Sequence, residues 1–168
     1  PDFSDEKKYL AIGMNKSYGD SCLNPEANLI STTYMNRIIS FDFQNGLLKV
    51  ESGTTLSQCI DFLMPRGWFL PVTPGTKLIT VGGALANDVH GKNHHVKGTF
   101  GCHVTQFELL RSDSSRMICS RSENTKYYEA TIGGLGLTGI ITWVEFRCVR
   151  CSGPVINMDS IKFRSLEQ

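Results

Sequence analysis

Residues 74–95 read Pro-Gly-Thr-Lys-Leu-Ile-Thr-Val-Gly-Gly-Ala-Leu-Ala-Asn-Asp-Val-His-Gly-Lys-Asn-His-His, and they combine a helix signal with a polar cluster. The segment from Thr80 to Asp88 predicts a short helix whose first turn carries the glycine pair Gly82-Gly83. Paired glycines at a helix start allow a ligand to approach the backbone closely, and a helix N-terminus favours an anion. The stretch therefore predicts a ligand site beside this helix.

The polar half of the stretch, residues 87–95, supports three interpretations. The first is a metal site built from histidines, but Asp88 is the one obvious carboxylate partner at ligand spacing. The second is an active-site wall that presents His90 and Lys92 to a bound cofactor and substrate. The third is a polar loop held by side-chain-to-backbone hydrogen bonds. We predict no metal site; the histidines weighed for it are His90, His94, His95 and His103.

Two more glycine-containing stretches lie outside this segment. Residues 13–20, Gly-Met-Asn-Lys-Ser-Tyr-Gly-Asp, follow a predicted strand, so their backbone N–H groups can form a nest around a phosphate. Residues 132–141, Ile-Gly-Gly-Leu-Gly-Leu-Thr-Gly-Ile-Ile, superficially match a dinucleotide fingerprint. They lead into a β-branched strand instead of opening a helix, so we predict no Rossmann site there.

The remaining pattern mixes strands and short helices without regular βαβ alternation, which predicts an α+β fold. The apolar residues after Thr55 fall on one stripe, which predicts a helix. Thr55 is its predicted N-cap, and Pro65 and Gly67 mark its end. The Asn-Gly in residues 44–46 predicts a hairpin, since both residues tolerate positive φ. The predicted strands are 9–13, 38–43, 47–51, 107–111, 116–120 and 137–150, and the last predicted helix is 123–131.

Composition narrows the class of protein. The 168 residues are 40% hydrophobic and 20% charged with a net charge of +1, so no broad field favours nucleic acid. No window reaches the roughly 20 apolar residues of a membrane-spanning helix. The cysteines do not form the dense framework of a small secreted domain, so we expect reduced thiols and a cytoplasmic location. They are Cys22, Cys59, Cys102, Cys119, Cys148 and Cys151.

Taken in order, these stretches resemble the FAD-binding domain of the vanillyl-alcohol-oxidase type, and within it the decaprenylphosphoryl-ribose oxidase branch. The resemblance runs from about Tyr9 to Arg150, and Asp-Val-His-Gly-Lys-Asn-His-His at 88–95 is its most specific piece. In full, the matching segments are 13–20, 70–76, 80–83, 87–95 and 130–140.

The resemblance implies a two-subdomain fold, with lobes of roughly 1–72 and 73–150, that holds an elongated FAD between them. His90 and Lys92 are the implied catalytic residues on the substrate side of the flavin, where the Lys92 ammonium would orient a sugar hydroxyl or phosphate and stabilise negative charge on the reduced flavin. The implied cofactor-binding residues are Ala11, Gly13, Met14, Asn15, Lys16, Ser17, Tyr18, Gly19, Asp20, Ser21, Gly75, Thr80, Val81, Gly82, Gly83, Asn87, Asp88, Val89, His90 and, near the adenine, Ile141.

Two departures from the family pattern affect the first loop. The family usually has Arg-Gly-x-Gly, whereas this chain has Ile12-Gly13-Met14-Asn15, so a positive charge is lost while Asn15 can still adopt a left-handed conformation. The position that carries a flavin-linked histidine in some family members is Lys16 here. We therefore expect FAD to be bound non-covalently.

The resemblance also implies a function for the parent enzyme. We expect an FAD-dependent oxidoreductase that oxidises an alcohol carbon of a sugar or polyprenyl-phosphate sugar by hydride transfer to FAD. We expect residues 1–150 to form an N-terminally shortened FAD-binding domain and residues 151–168 to start a linker to a substrate domain, so the chain alone is inactive. The alternatives are a non-catalytic flavin or nucleotide-binding module and a histidine-rich metal-binding protein.

Overall fold

The structure is a computed structural model, and it describes residues 8–26, 28–155 and 157–165. Its elements are mixed α and β, as the sequence pattern predicts. The strands are β1 Tyr9–Ile12, β2 Asn28–Ser31, β3 Ile38–Asp42, β4 Leu47–Glu51, β5 Trp68–Phe69, β6 Val104–Leu110, β7 Arg116–Ser120, β8 Ile140–Arg147 and β9 Val149–Arg150. The α-helices are α1 Leu56–Leu63, α2 Val81–Ala86, α3 His94–Lys97 and α4 Thr125–Thr131.

The largest sheet has five strands in the order β3-β4-β8-β6-β7, and every neighbouring pair in it is antiparallel. The middle strand β8 alternates between buried and half-buried residues along most of its length, with Val144 and Phe146 fully buried. This period-2 pattern places one face of the sheet against the core. Both predicted hairpins, β3–β4 and β6–β7, are confirmed.

Two small sheets lie apart from the large one. Strands β1 and β2 pair in parallel from Tyr9↔Asn28 to Ile12↔Ser31. The Thr32 N–H extends this pairing by donating to the Ile12 carbonyl at 2.9 Å. Strand β5 pairs with β9. The β1–β2 sheet fixes the point from which the loop after Ile12 departs.

Helix α1 confirms the predicted cap and the predicted end. The Thr55 side chain accepts a hydrogen bond from the Gln58 N–H at 3.2 Å, and the Gln58 side chain accepts one from the Thr55 N–H at 2.8 Å. This reciprocal pair is a capping box. Beyond the helix, Gly67 adopts φ 73° and ends the short 3₁₀ turn at Met64–Arg66.

Helix α2 packs into the core beside the large sheet. Its Val81, Ala84 and Leu85 side chains are fully buried. They belong to one apolar cluster with the aromatic side chains of Phe100, Phe107 and Phe146. Because these side chains anchor one side of α2 in the core, the backbone at Gly82 and Gly83 is held in a fixed position.

Several predicted boundaries are wrong in detail. The predicted strand 137–150 begins only at Ile140, because Gly136 and Gly139 adopt positive φ values of 79° and 146°, and it is interrupted at Cys148. In the first hairpin only Gly46 adopts positive φ, at 67°, and Asn45 does not. Gly46 is required there for space, since a Cβ would lie 2.1 Å from the Trp68 ring.

The division of the chain into lobes at residue 72 is not a boundary of the large sheet. Strand β4 comes from the first range and pairs along its whole length with β8 from the second. Strands from both predicted ranges therefore belong to the same five-stranded sheet.

The predicted polar loop 87–95 contains the start of a helix, α3, at His94–Lys97.

All six cysteines are unpaired. Burial, together with a smaller effect of the neighbouring Cys148 thiol, raises the pKa of the Cys59 thiol to about 12. Burial also raises the pKa of Cys148 to about 12. These two thiols are protonated and unreactive at neutral pH, which is how buried structural cysteines behave.

Candidate functional site

An open cleft lies between the β1–β2 sheet, helix α2 and the loop before β8. Its cavity volume is about 160 Å³, or about 990 Å³ when its mouth to solvent is included. Lys16 is the only charged residue among those that line it, so the cleft favours an anionic ligand. It is lined by residues 11–18, Ser21, Cys22, Thr32, Ser52, Ile79, Thr80, Gly82, Gly83, Ala86, Asn87, Val89, Leu135, Gly136, Gly139 and Ile141.

The loop at residues 13–22 presents the largest set of available donors at the cleft. None of its backbone N–H groups donates a hydrogen bond to another residue in the described part of the chain. Asn15 and Gly19 adopt positive φ values of 51° and 61°, so the loop changes direction at both residues. The prediction that Asn15 can take a left-handed conformation is confirmed.

Helix α2 contributes to the cleft differently from what its sequence suggests. The Val81 N–H donates to the Thr54 carbonyl at 2.8 Å and the Gly82 N–H donates to the Ser52 carbonyl at 2.7 Å. The Gly83 N–H donates to Thr80 Oγ1 at 3.1 Å. The first-turn N–H groups are therefore already bonded to protein. Gly82 and Gly83 line the cleft but offer it no available N–H donor, and the space beside the Gly82 Cα is filled by Ser52.

Gly13 brings the first loop against the cap of α2. A Cβ at Gly13 would lie 2.4 Å from Thr80 Oγ1 and 2.9 Å from Thr80 Cγ2, so only glycine fits without a shift of the threonine. Thr80 is itself buried, with 2% of its surface exposed. This contact holds the available donors of the loop next to the glycine surface of α2.

The loop at residues 133–139 forms a wall that the sequence-based site prediction missed. The Gly133 N–H donates to the Leu85 carbonyl at 3.1 Å and the Leu135 N–H donates to the Ala86 carbonyl at 2.8 Å, so the loop docks on the end of α2. Leu135 has φ 53°, an unfavourable conformation for a bulky residue. The glycine run at 132–141 was the sequence feature that could have indicated this wall, but it was considered only as a possible Rossmann site.

The His90 end of the predicted site adjoins the cleft without lining it. Asn87 and Val89 line the cleft, whereas His90 and Lys92 are exposed beyond its edge. The His90 and His94 rings lie 5.2 Å apart between centroids. His94 Nδ1 lies 3.1 Å from the Gly91 carbonyl oxygen. These contacts include the side-chain-to-backbone bonds expected of a polar loop, and the catalytic roles stay predictions.

Other predicted cofactor contacts also fall outside the cleft lining. Asp88 adopts φ 42° and its Oδ1 accepts the Gly101 N–H at 2.8 Å, which fixes the turn after α2. The Val81 side chain lies in the core. Gly19, Asp20 and Gly75 belong to exposed turns. Residues that line the cleft but were not predicted include Ile12, Cys22, Thr32, Ser52, Ile79 and Ala86.

Among residues 8–26, 28–155 and 157–165, no group of three or more His, Cys, Asp or Glu side chains is placed to hold a metal ion. No helix in the same residues is long and apolar enough to span a membrane.

A cleft with unpartnered main-chain donors and one lysine suits a ligand that carries phosphate groups. Comparison with known proteins identifies the family: residues 4–120 match the model of the FAD binding domain. Because the match covers more than half of the chain, this chain belongs to that family.

The relatives with established names differ in what they act on. Decaprenylphosphoryl-β-D-ribose oxidase of Mycolicibacterium smegmatis is 42% identical over 79% of this chain and 29% of its own length. Delta(24)-sterol reductase of Homo sapiens is 30% identical over 67% of this chain and 22% of its own length. L-gulonolactone oxidase of Mus musculus is 28% identical over 85% of this chain and 32% of its own length. The aligned region therefore spans about a fifth to a third of these relatives.

Proposed function

We propose that this chain is the FAD-binding part of a flavin-dependent oxidoreductase that oxidises an alcohol carbon of a sugar or polyprenyl-phosphate sugar. The observation that carries the proposal is the loop 13–22, whose N–H groups have no partner in the described residues and of which residues 13–18, Ser21 and Cys22 line a cleft without an acidic lining residue. Membership of the FAD binding domain family supports FAD as the ligand. The sugar substrate is supported by the similarity to decaprenylphosphoryl-β-D-ribose oxidase.

The proposed binding mode assigns the pyrophosphate to the first loop. Loop residues 13–22 donate main-chain hydrogen bonds to it, and Lys16 adds a positive charge. Gly82 and Gly83 let the cofactor pass close to α2. When bound, the flavin supplies the hydride-accepting chemistry. Lys16 is not a residue that links covalently to flavin in this family, so FAD is held non-covalently in this proposal.

Gel filtration of the full chain after incubation with FAD tests the binding. We expect flavin absorbance to co-elute with the protein and to be released completely by heat denaturation. Absence of co-eluting flavin contradicts the proposed function. Flavin that stays with the precipitated protein contradicts only the non-covalent attachment.

The proposed roles of Lys92 and His90 concern substrate. Both side chains are exposed next to the Asn87–Val89 edge of the cleft, where a substrate would meet the flavin. In this proposal a substrate domain, carried beyond residue 151 in the parent enzyme, covers that edge. In the parent enzyme we expect Lys92→Ala to lower kcat/KM for the sugar substrate by roughly 100-fold. Lys97→Ala removes an equally exposed lysine from the same segment and serves as the control.

A flavin-binding module without catalysis is the second candidate. The observation that favours it is Ile12, which stands where the family usually has arginine, together with the exposed position of His90 and Lys92. Anaerobic reduction of the bound flavin by sugar alcohols separates the two candidates. Bleaching of the flavin by substrate would rule out the non-catalytic module, and absence of bleaching in the full parent enzyme would rule out the oxidoreductase.

We also propose a cytoplasmic location, which the six unpaired cysteines support.

A further inference from the structure

Ser52 is a buried polar residue that the fold does not satisfy. It follows β4 directly, has 1% of its surface exposed and lines the cleft. Its Oγ has no hydrogen-bond partner in the described part of the chain. A buried hydroxyl without a partner is unfavourable, and such a group in a native protein requires an explanation.

The backbone of Ser52 holds its side chain in a fixed place. The Ser52 N–H donates to the Thr142 carbonyl at 2.9 Å, and its carbonyl accepts the Gly82 N–H at 2.7 Å. A Cβ at Gly82 would lie 2.8 Å from Ser52 Cβ, so the serine side chain lies against the bare surface of α2. The serine side chain is therefore packed against Gly82 of α2, and both residues line the cleft.

The other buried hydroxyls that line the cleft are already in use. Thr32 Oγ1 donates to the Ile12 carbonyl at 3.1 Å, and Thr80 Oγ1 accepts the Gly83 N–H. Because no first-turn N–H of α2 is available, the donors of this wall are side-chain groups, and Ser52 Oγ is the buried one that has no hydrogen-bond partner in the described residues. Through Thr80, the same wall contacts Gly13, where the run of available N–H groups begins.

We propose that Ser52 Oγ donates a hydrogen bond to a phosphoryl oxygen of the bound dinucleotide and so completes the phosphate site begun by residues 13–22. The inference rests on the proposed function, because it requires FAD in the cleft. We assign a phosphoryl oxygen in preference to a ribose hydroxyl or a flavin carbonyl, because a hydrogen bond to a charged acceptor is the stronger one. Ser52 is in this assignment a cofactor-binding residue on the wall opposite the loop.

Titration of the full chain with FAD and with ADP, before and after Ser52→Ala, tests the assignment. Hydrogen bonds to charged groups are strong, so we expect roughly a 10- to 100-fold rise in Kd for both ligands. ADP carries the pyrophosphate and the adenosine without the flavin, so equal losses for FAD and ADP, with unchanged binding of adenosine, locate the contact on the phosphates. Ser40→Ala, on the neighbouring strand β3 and exposed, is the matched control and leaves both Kd values unchanged.

The ligand-free protein gives a second readout. Removing an unpartnered buried hydroxyl leaves Tm unchanged or raises it, whereas removing a structural hydrogen bond lowers it. A lower Tm together with weaker binding overturns the inference, and so does unchanged affinity for FAD. A loss for FAD without a loss for ADP overturns the phosphate assignment. If the wild-type chain binds neither ligand, the proposed function itself is wrong, and this outcome is distinct from a failure of the Ser52 assignment alone.

Discussion

Gly13 has no side chain at the point where the first loop passes the cap of α2. The space that a Cβ needs there is filled by the Thr80 hydroxyl and methyl groups. The contact explains why a glycine follows β1 even though its φ is not positive. Its role in this fold is to allow close approach of two chain segments, whereas the sequence placed it only in a predicted phosphate-binding loop.

We predict that Gly13→Ala destabilises the chain and weakens FAD binding. The new methyl group displaces Thr80, so the cap of α2 is lost at a cost of about 1 kcal/mol, and the loop moves outward. Urea denaturation measures the loss, and FAD titration measures the affinity. Gly75→Ala is the control for stability, because a Cβ at Gly75 meets nothing within 4 Å. Equal stability of the Gly13 and Gly75 variants would refute the packing argument.

The buried thiols predict how stability depends on alkaline pH. The folded-state pKa of Cys59 and Cys148 is about 12 against an ordinary value of 9.0. Since the unfolded chain loses these protons first, the stabilisation is complete below pH 9 and is lost as the pH rises toward 12. Each thiol lowers the unfolding free energy by about 1.4 kcal/mol per pH unit in that window.

Denaturation between pH 8.5 and 10.5 checks this slope. We expect Cys59→Ala to reduce the slope by about 1.4 kcal/mol per pH unit. Ile60→Ala removes apolar volume from the next position of the same helix without removing a thiol, so it should keep the wild-type slope. An unchanged slope in the Cys59 variant would show that this thiol does not titrate between the two states.

At the scale of elements, the sequence predicted local structure well where a side chain bonds its own backbone. Thr55 and Gln58 form the capping box of α1, and Thr80 caps α2, so both helices begin where the pattern placed them. The limits of β8 were predicted poorly. Its start depends on the turns at Gly136 and Gly139 and on the docking of residues 133–139 on α2, a long-range contact that the glycine run does not specify by itself.

The two helix caps provide a matched pair of substitutions. Thr55→Ala and Thr80→Ala each remove one side-chain acceptor from a first-turn N–H, so each should cost about 1 kcal/mol of unfolding free energy. Only Thr80 lines the cleft, so only Thr80→Ala should also weaken FAD binding. Serine at each position retains the hydroxyl and should recover most of the stability. Equal effects on FAD binding would contradict the placement of the cleft.

At the scale of the whole molecule, the sequence predicted the α+β class and the main part of the cleft. It did not predict that Ser52 and Leu135 meet at the same cleft, because they are 83 residues apart in the printed numbering. The five-stranded sheet brings them together by pairing β4 with β8. That pairing is set by burial over the whole sheet, and no local motif encodes it.

We predict that FAD stabilises the whole domain. At a free FAD concentration 100 times Kd, linkage gives about 2.7 kcal/mol of stabilisation, which corresponds to roughly 5–10 °C in Tm for a chain of this size. Differential scanning fluorimetry or calorimetry measures the shift. Riboflavin at the same concentration lacks the phosphates that the cleft donors suit, so its shift should be much smaller. An equal shift with riboflavin would argue against recognition through phosphate.

The donors at residues 13–22 belong to the main chain, and this has a consequence for how the loop can evolve. Every residue type except proline carries the same N–H group, so side chains can be exchanged without removing a donor, provided that Gly13 is kept for space and that Asn15 and Gly19 keep their turns. The other positions of the loop can therefore change in charge and size while its ligand chemistry persists. Proline at any of these ten positions is the substitution that such change has to avoid.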